Sequence, residues 1–211
     1  MDSYRPISLI SCPRKILEKM VLNRIQAERS NILSKTQYGF RQGRSTRDCL
    51  ALLTTDVHKA FEQKQELVAV FVDVQGAYDN VLIDKLCIKL QNFGVPELLT
   101  NFMYNMLSTK VMHFYLNNEE MCEEKRTSNF GLAQGSTLSP FLYNVYVADI
   151  DACIEDDCVL TQFADDACLW ASGRDRKLLK QSIQRSFSCK KTEFMVFGLI
   201  LDVPGKSMFS T

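Results

Sequence analysis

The run Leu67-Val68-Ala69-Val70-Phe71-Val72 constrains this chain most: six apolar residues without interruption, of strand length, followed at once by Asp73. A strand with one wet face alternates apolar and polar residues, whereas a wholly apolar run predicts a strand covered on both faces. The fold must therefore supply layers on either side of this strand. A carboxylate emerges where the cover ends.

The surrounding segments supply such layers. Ile16, Leu17, Met20, Val21 and Ile25 recur at helical spacing over 13–30, with Pro13 suited to a first turn. Ser34 to Arg47 is a polar loop with Gly39, Gly43 and three arginines, and Leu50, Leu53, Val57 and Phe61 predict a second helix. Ile83, Leu86 and Leu90 give a third, closed by Gly94 with Pro96 beyond, and Leu99, Phe102 and Met106 a short fourth. Strand character runs from Lys110 to Leu116, ending at the Asn117-Asn118 turn signal, and 136–154 reads as a helix with Pro140 in its first turn. Two short strands, 158–163 and 167–171, flank Asp165-Asp166 as a hairpin; an amphipathic helix over 174–185 and an apolar strand over 193–203 follow. No repeat or Gly/Ser linker interrupts the chain, which predicts one continuous α+β unit.

Composition excludes several classes. No apolar stretch approaches the roughly 20 residues of a membrane span, and the N-terminus lacks an apolar core of signal-peptide length, so a soluble, intracellular chain is expected. The eight cysteines contain no Cys-x-x-Cys pair and lie in apolar segments, which fits reduced, mostly buried thiols better than a disulfide framework or a zinc site. The 25 basic and 25 acidic residues cancel, which at first counts against a nucleic-acid binder. The cancellation is regional: residues 1–50 carry ten basic and four acidic groups, and the remainder is correspondingly acidic.

The two acidic doublets differ in context. With 14 Asp in 211 residues, about 0.9 Asp-Asp pairs arise by chance, so a bare doublet is weak evidence. Asp156-Asp157, in a charged turn, reads as a solvated surface pair. Asp165-Asp166 lies between two apolar strands, where two like charges are costly unless a cation neutralises them. Asp73 poses the same question. Two readings fit Asp73 and Asp165: helix caps or turn residues, or ligands of an all-oxygen site for Mg²⁺, the cation suited to carboxylates, water and substrate phosphates.

Six blocks carry a resemblance. In order they are Tyr4-Arg5-Pro6-Ile7-Ser8-Leu9; Gln37-Tyr38-Gly39-Phe40-Arg41-Gln42-Gly43-Arg44-Ser45-Thr46; Phe71-Val72-Asp73-Val74-Gln75-Gly76-Ala77-Tyr78-Asp79; Gly131-Leu132-Ala133-Gln134-Gly135-Ser136-Thr137-Leu138-Ser139-Pro140; Phe163-Ala164-Asp165-Asp166; and Lys191-Thr192-Glu193. From about Tyr4 to about Gly198 the chain resembles the reverse transcriptase domain of non-LTR (LINE-type) retrotransposons. Viral RNA-dependent RNA polymerases are similar in the palm, but usually place Gly or Ser before the two aspartates.

The resemblance implies an α+β right-hand polymerase fold: partial fingers and upper palm over 1–66, a palm with the catalytic aspartates over 67–198, and a C-terminal remnant over 199–211. The implied activity is RNA-directed DNA polymerisation, a two-metal nucleotidyl transfer from a dNTP to a primer 3′-hydroxyl, with an RNA template, a DNA primer and dNTPs as partners and two Mg²⁺, or Mn²⁺, as cofactors. Asp73, Asp165 and Asp166 match the catalytic carboxylates, with Asp73 and Asp165 bridging the metals and the Val74 carbonyl as a further ligand. Tyr78 matches the aromatic that rejects a 2′-hydroxyl by filling its space; the alternative is a core tyrosine. Gln134 and Gly135 match the segment against the nascent base pair. Arg41 and Arg44 match triphosphate contacts, for which a planar guanidinium suits bidentate binding, or else form a solvated basic loop. Lys191 matches a lysine near the leaving pyrophosphate.

Departures from the family pattern set up the alternative. The thumb and the start of the fingers are expected to lie outside this chain, and the junction Ser186-Phe187-Ser188-Cys189 before Lys191 is shorter than in relatives, which is expected to displace that lysine. The competing expectation is a catalytically inactive retroelement remnant that retains residual nucleic-acid binding.

Overall fold

The computed structural model describes residues 7–29, 32–74, 76–116, 119–187 and 195–201. They fall into two compact units, each drawn from two stretches of sequence: Met1–Leu33 with Gly76–Val147, and Ser34–Gln75 with Ala148–Thr211.

The second unit is built on the apolar run. Strand β1 (Glu66–Asp73) lies inside a four-stranded sheet of order β4-β5-β1-β6, where β4 is Val159–Phe163, β5 Asp166–Gly173 and β6 Met195–Leu201. Every neighbouring pair is antiparallel, and β1 meets β5 with Val70 opposite Leu169 and Asp73 opposite Asp166. Alternation sends Val68, Val70 and Val72 to one face, where with Leu160, Leu169 and Ala171 they pack on Leu179 and Ile183 of α6 (Arg176–Phe187). Leu67, Ala69 and Trp170 go to the other, against Ala60, Leu53 and Val57 of α2 (Thr46–Glu62). The two-sided cover read from the run is therefore present, except at Phe71, which is 41% exposed near the strand end. Trp170, 1% exposed, satisfies its indole N–H on Asp56 Oδ2 of α2 at 3.1 Å, so the largest core side chain is also oriented by a hydrogen bond. A 3₁₀ helix, Ala148–Cys153, is anchored through Asp151, whose carboxylate accepts hydroxyl hydrogen bonds from Ser34 and, at 2.6 Å, Thr36.

The first unit is mainly helical: α1 (Cys12–Glu28), α3 (Ile83–Asn92), α4 (Glu97–Ser108) and α5 (Ser139–Tyr146), with the hairpin β2 (Thr109–Leu116) and β3 (Glu119–Thr127). Helix α3 ends as its sequence predicts. Gly94, at φ 79°, donates to Gln91 O and Val95 to Leu90 O, a pairing that closes the last carbonyls and needs the left-handed residue glycine supplies. The buried face of α1 includes a carboxylate, Glu18, which is 1% exposed. It accepts from Ser136 Oγ at 2.8 Å, Thr137 N–H at 2.9 Å and Arg14 Nε at 3.2 Å, and so tethers the loop before α5.

Some expectations are corrected. The helix expected over 136–154 stops at Tyr146, and the next residues form the 3₁₀ helix of the other unit, held there by Asp151. Strand β3 has no counterpart in the sequence reading. Cys153 is disulfide-bonded, against the expectation of reduced thiols throughout. Of the free cysteines described, Cys87 is buried, Cys49, Cys158 and Cys168 are half-buried and Cys12 is exposed. Among the described residues no helix is long and apolar enough to cross a membrane.

Candidate active site

The end of the four-stranded sheet gathers the three aspartates singled out in the sequence. Asp73 is the last residue of β1 and Asp166 the first of β5, and they stand directly opposite in the antiparallel register. Side chains so paired lie on one face with Cβ atoms about 4.5–5.5 Å apart, and like charges there repel. Asp165 precedes Asp166 in the β4–β5 turn and is half-buried, while Asp73 and Asp166 are exposed. The doublet is thus split: Asp165 belongs to the turn and Asp166 to the strand. Val74 follows Asp73 beyond the strand end and is half-buried. The contrasting doublet, Asp156-Asp157, is exposed at both residues, as a solvated pair should be.

The donor set fits a hard divalent cation. Carboxylate oxygens on rigid strand ends suit Mg²⁺, which keeps several waters and takes only one or two carboxylates with substrate phosphates. Among the described residues no group of three or more His, Cys, Asp or Glu side chains is placed so that together they could hold a metal ion.

The turn carrying Asp165 is tight. Phe163 pairs with Asp166, leaving a two-residue loop of Ala164 and Asp165, with a positive φ of 58° at Ala164 and none at Asp165. That is the II′ hairpin pattern, whose first central position normally holds glycine. An alanine there costs about 1–3 kcal/mol and persists only where its surroundings over-determine it.

Those surroundings are the Gln37-Tyr38-Gly39 block. Gln37, 0% exposed, accepts at Oε1 from Ala164 N–H at 3.0 Å and from Gly39 N–H at 2.8 Å, and donates from Nε2 to Ala164 O at 3.2 Å. Tyr38 N–H donates to Gln162 O and Gln162 N–H to Thr36 O, so Gln37 forms an isolated parallel bridge with Gln162 of β4. At Gly39 a Cβ would lie 2.2 Å from Ala164 N, a distance real atoms do not tolerate. The glycine is required by the closeness of the two backbones.

Arg41 and Arg44 lie in the same loop and serve it internally. Arg41 Nη1 donates to Ser34 O at 2.5 Å and Gln37 O at 3.2 Å; Arg44 Nη1 donates to Lys35 O at 2.5 Å and Gln37 O at 3.4 Å, and its guanidinium stacks 4.6 Å over the Tyr38 ring. Burial, and secondarily the neighbouring Arg44, push the Arg41 pKa down.

Tyr78, Gln134 and Gly135 belong to the other unit, where they share one neighbourhood. Tyr78 O accepts from Leu132 N–H at 2.9 Å, two residues before Gln134, and the half-buried Tyr78 ring lies 5.4 Å from that of Tyr143. Gln134 O accepts from Ser8 N–H at 2.8 Å. Gly135 adopts φ 108°, and a Cβ there would stand 2.9 Å from Ser8 O. The close approach at this glycine is to the Ser8 backbone of the same unit. Lys191 lies outside the described residues.

Two residues escaped the sequence reading. Gln37 and Gly39 lie in the block Gln37 to Thr46, whose arginines carry its visible signal, because charge announces phosphate chemistry and a neutral carboxamide announces nothing. The available signal was a Gln two residues before a Gly in a polar loop, which is weak.

Solved structures define the fold. A telomerase of Candida tropicalis in complex with a TWJ fragment of telomeric RNA superposes on 95% of this chain and 35% of that one, with TM-score 0.61 and 11% identity. The apo form truncated from its C-terminal domain gives TM-score 0.56 at 10% identity over 94% and 42%. At such identities the likeness establishes the fold, the right-hand fold of polymerases. Family membership follows from sequence: the family model "Reverse transcriptase (RNA-dependent DNA polymerase)" matches residues 1–199, and the chain belongs to that family. Among curated relatives, the probable RNA-directed DNA polymerase from transposon BS of Drosophila melanogaster is 37% identical over 71% of this chain, and that from mobile element jockey of the same fly 29% identical over 80%. These relatives bear out the resemblance to LINE-type retrotransposon reverse transcriptase domains. The chain spans 16% and 19% of their respective lengths.

Proposed function

We propose that this chain forms the catalytic core of an RNA-directed DNA polymerase, joining a dNTP to the 3′-hydroxyl of a DNA primer on an RNA template. The observation that carries the reading is the strand-end placement of Asp73 opposite Asp166, with Asp165 in the adjoining turn. In the reaction the primer 3′-oxygen bonds to the α-phosphorus, the bond to the β,γ-diphosphate breaks, and pyrophosphate leaves.

Asp73, Asp165 and Asp166, with the Val74 carbonyl, are the residues that would hold two Mg²⁺, or Mn²⁺. When bound, such ions neutralise charge on the attacking and leaving oxygens of an in-line displacement. The strands contribute rigidity: a short Asp side chain on a hydrogen-bonded strand end has little freedom, so the sheet register fixes where the carboxylates stand. Tyr78 is assigned the exclusion of a 2′-hydroxyl, and Gln134 and Gly135 the surface beside the nascent pair. Arg41 and Arg44 are assigned the triphosphate through guanidinium nitrogens other than those engaged with loop carbonyls, and Lys191 the leaving group.

The test is extension of a DNA primer annealed to RNA by the 211-residue chain with dNTPs and Mg²⁺. The reading expects template-directed products that stop when a dideoxynucleotide is supplied. A second reading, nucleic-acid binding without catalysis, draws on the engagement of Arg41 and Arg44 with their own loop. It expects a retained primer–template complex and no extension.

A further inference from the structure

We infer that Gln37 is a positioning residue for the aspartate turn, acting through Ala164, and that Gly39 exists to let it do so. The inference deepens the reading above and rests on it for the role of Asp165 and Asp166; the clamp itself rests on geometry alone.

The two-residue turn has a weak point. Ala164 is held at φ 58°, where a side chain is unfavourable, and the next two residues are Asp165 and Asp166. Left to its own preferences the turn would relax toward negative φ and rotate the Asp165 carbonyl and side chain away from the register that sets Asp73 against Asp166. Gln37 opposes this by engaging both polar groups of Ala164: its Oε1 takes the N–H at 3.0 Å and its Nε2 the carbonyl at 3.2 Å. A carboxamide is the neutral side chain that offers an acceptor and a donor side by side, so it pairs with one residue's N–H and C=O as a strand neighbour would.

The clamp is itself fixed. The Gln37 side chain is fully buried, its Oε1 also accepts from Gly39 N–H, and its backbone carbonyl receives Arg41 and Arg44. Gly39 passes so near Ala164 that any Cβ would collide with the alanine backbone. The two loop arginines thus support the block that braces the turn. No charged group is needed at the brace, and an uncharged one leaves the field at the aspartates to the aspartates.

The experiment follows amide hydrogen exchange by NMR and Mn²⁺ binding by electron paramagnetic resonance in the whole chain, for wild type, Gln37→Met, Gln37→Met with Ala164→Gly, and Asp165→Asn with Asp166→Asn. Methionine keeps the length and apolar bulk and removes all three side-chain hydrogen bonds, the two with Ala164 and the one from Gly39 N–H. The inference expects Ala164 N–H to exchange at least tenfold faster in Gln37→Met, Val70 and Leu169 to stay protected, and Mn²⁺ affinity to fall about fivefold or more. Glycine enters the left-handed region freely, so adding Ala164→Gly should recover much of the lost Mn²⁺ affinity, a rescue that general destabilisation would not show. Should Gln37→Met not fold, Gln37→Glu retains the acceptor and loses the donor; Gly39 N–H then stays protected while Mn²⁺ affinity drops. Unchanged exchange at Ala164, or exchange accelerated equally at Val70 and Leu169 without rescue, overturns the clamp. Faster exchange at Ala164 with undiminished Mn²⁺ affinity overturns its positioning role. If wild type and the double-Asn variant bind Mn²⁺ alike, the metal reading fails, and exchange at Ala164 alone decides whether Gln37 holds the turn.

Discussion

Asp73 and Asp166 face each other across the β1–β5 ladder, two carboxylates on adjacent strand ends of the same sheet. Nothing in packing asks for this. Opposed like charges weaken a strand pair by roughly 0.2–1 kcal/mol, and a fold that keeps them keeps them for something other than stability.

Without divalent cations, Asp73→Asn should therefore stabilise the chain by about 0.5 kcal/mol, because the isosteric amide removes the repulsion and leaves the backbone ladder intact. Urea unfolding in EDTA measures this directly. Adding Mg²⁺ should stabilise wild type more than the variant, since a ligand of the folded state raises its stability by mass action.

Asp56 is expected to matter to the core through one atom. Asp56→Ala leaves the buried Trp170 indole N–H without its acceptor, at a cost of about 1–3 kcal/mol. Trp170 is the chain's single tryptophan, so its fluorescence reports both the loss in unfolding midpoint and the local change. Trp170→Phe in the Asp56→Ala background should remove most of the coupling, because phenylalanine has no donor to leave unpaired.

Alkaline pH should destabilise the fold through its thiols. Burial raises Cys87 and Cys158 to about 11 and Cys168 to about 12, from an ordinary value of 9.0. A thiol whose folded pKa lies above its unfolded pKa keeps its full contribution below the unfolded value and loses it as pH climbs toward the folded one. Stability should thus be flat up to about pH 8 and decline from about pH 9 to 12, with Cys168→Ala flattening the upper part of the slope. At neutral pH these three thiols stay protonated, so a brief pulse of iodoacetamide should label the exposed Cys12 ahead of them.

How much of this was legible depends on which physical signal each element carries. Strand β1 announced itself because burial on both faces leaves no polar residue in the run, and α3 because its periodicity ends on Gly94 and Pro96. Strand β3 did not. Glu119–Thr127 is dominated by charged side chains, and it becomes a strand by pairing with the preceding strand β2, a cross-strand cause that its own residue pattern does not show. The helix expected to reach Ile154 ends early because Asp151 is bonded to Ser34 and Thr36, more than a hundred residues away in sequence. At the site, the aspartates were legible from their apolar flanks and from the order of the family blocks. Gln37 was not, since a buried carboxamide looks like any loop polar residue until its partners are known. The two arginines were visible as basic residues, but the carbonyls they hold were not.

The account turns on Asp73, Asp165 and Asp166 acting in nucleotidyl transfer, and the most direct measurement compares wild type with Asp165→Asn, Asp166→Asn in extension of a DNA primer on an RNA template with Mg²⁺. The amides keep the shape of the turn and strand and remove the charge that would hold the cations. The account predicts extension by wild type and a loss of at least a hundredfold, about 2.7 kcal/mol in barrier, in the variant. Equal extension by both would contradict it.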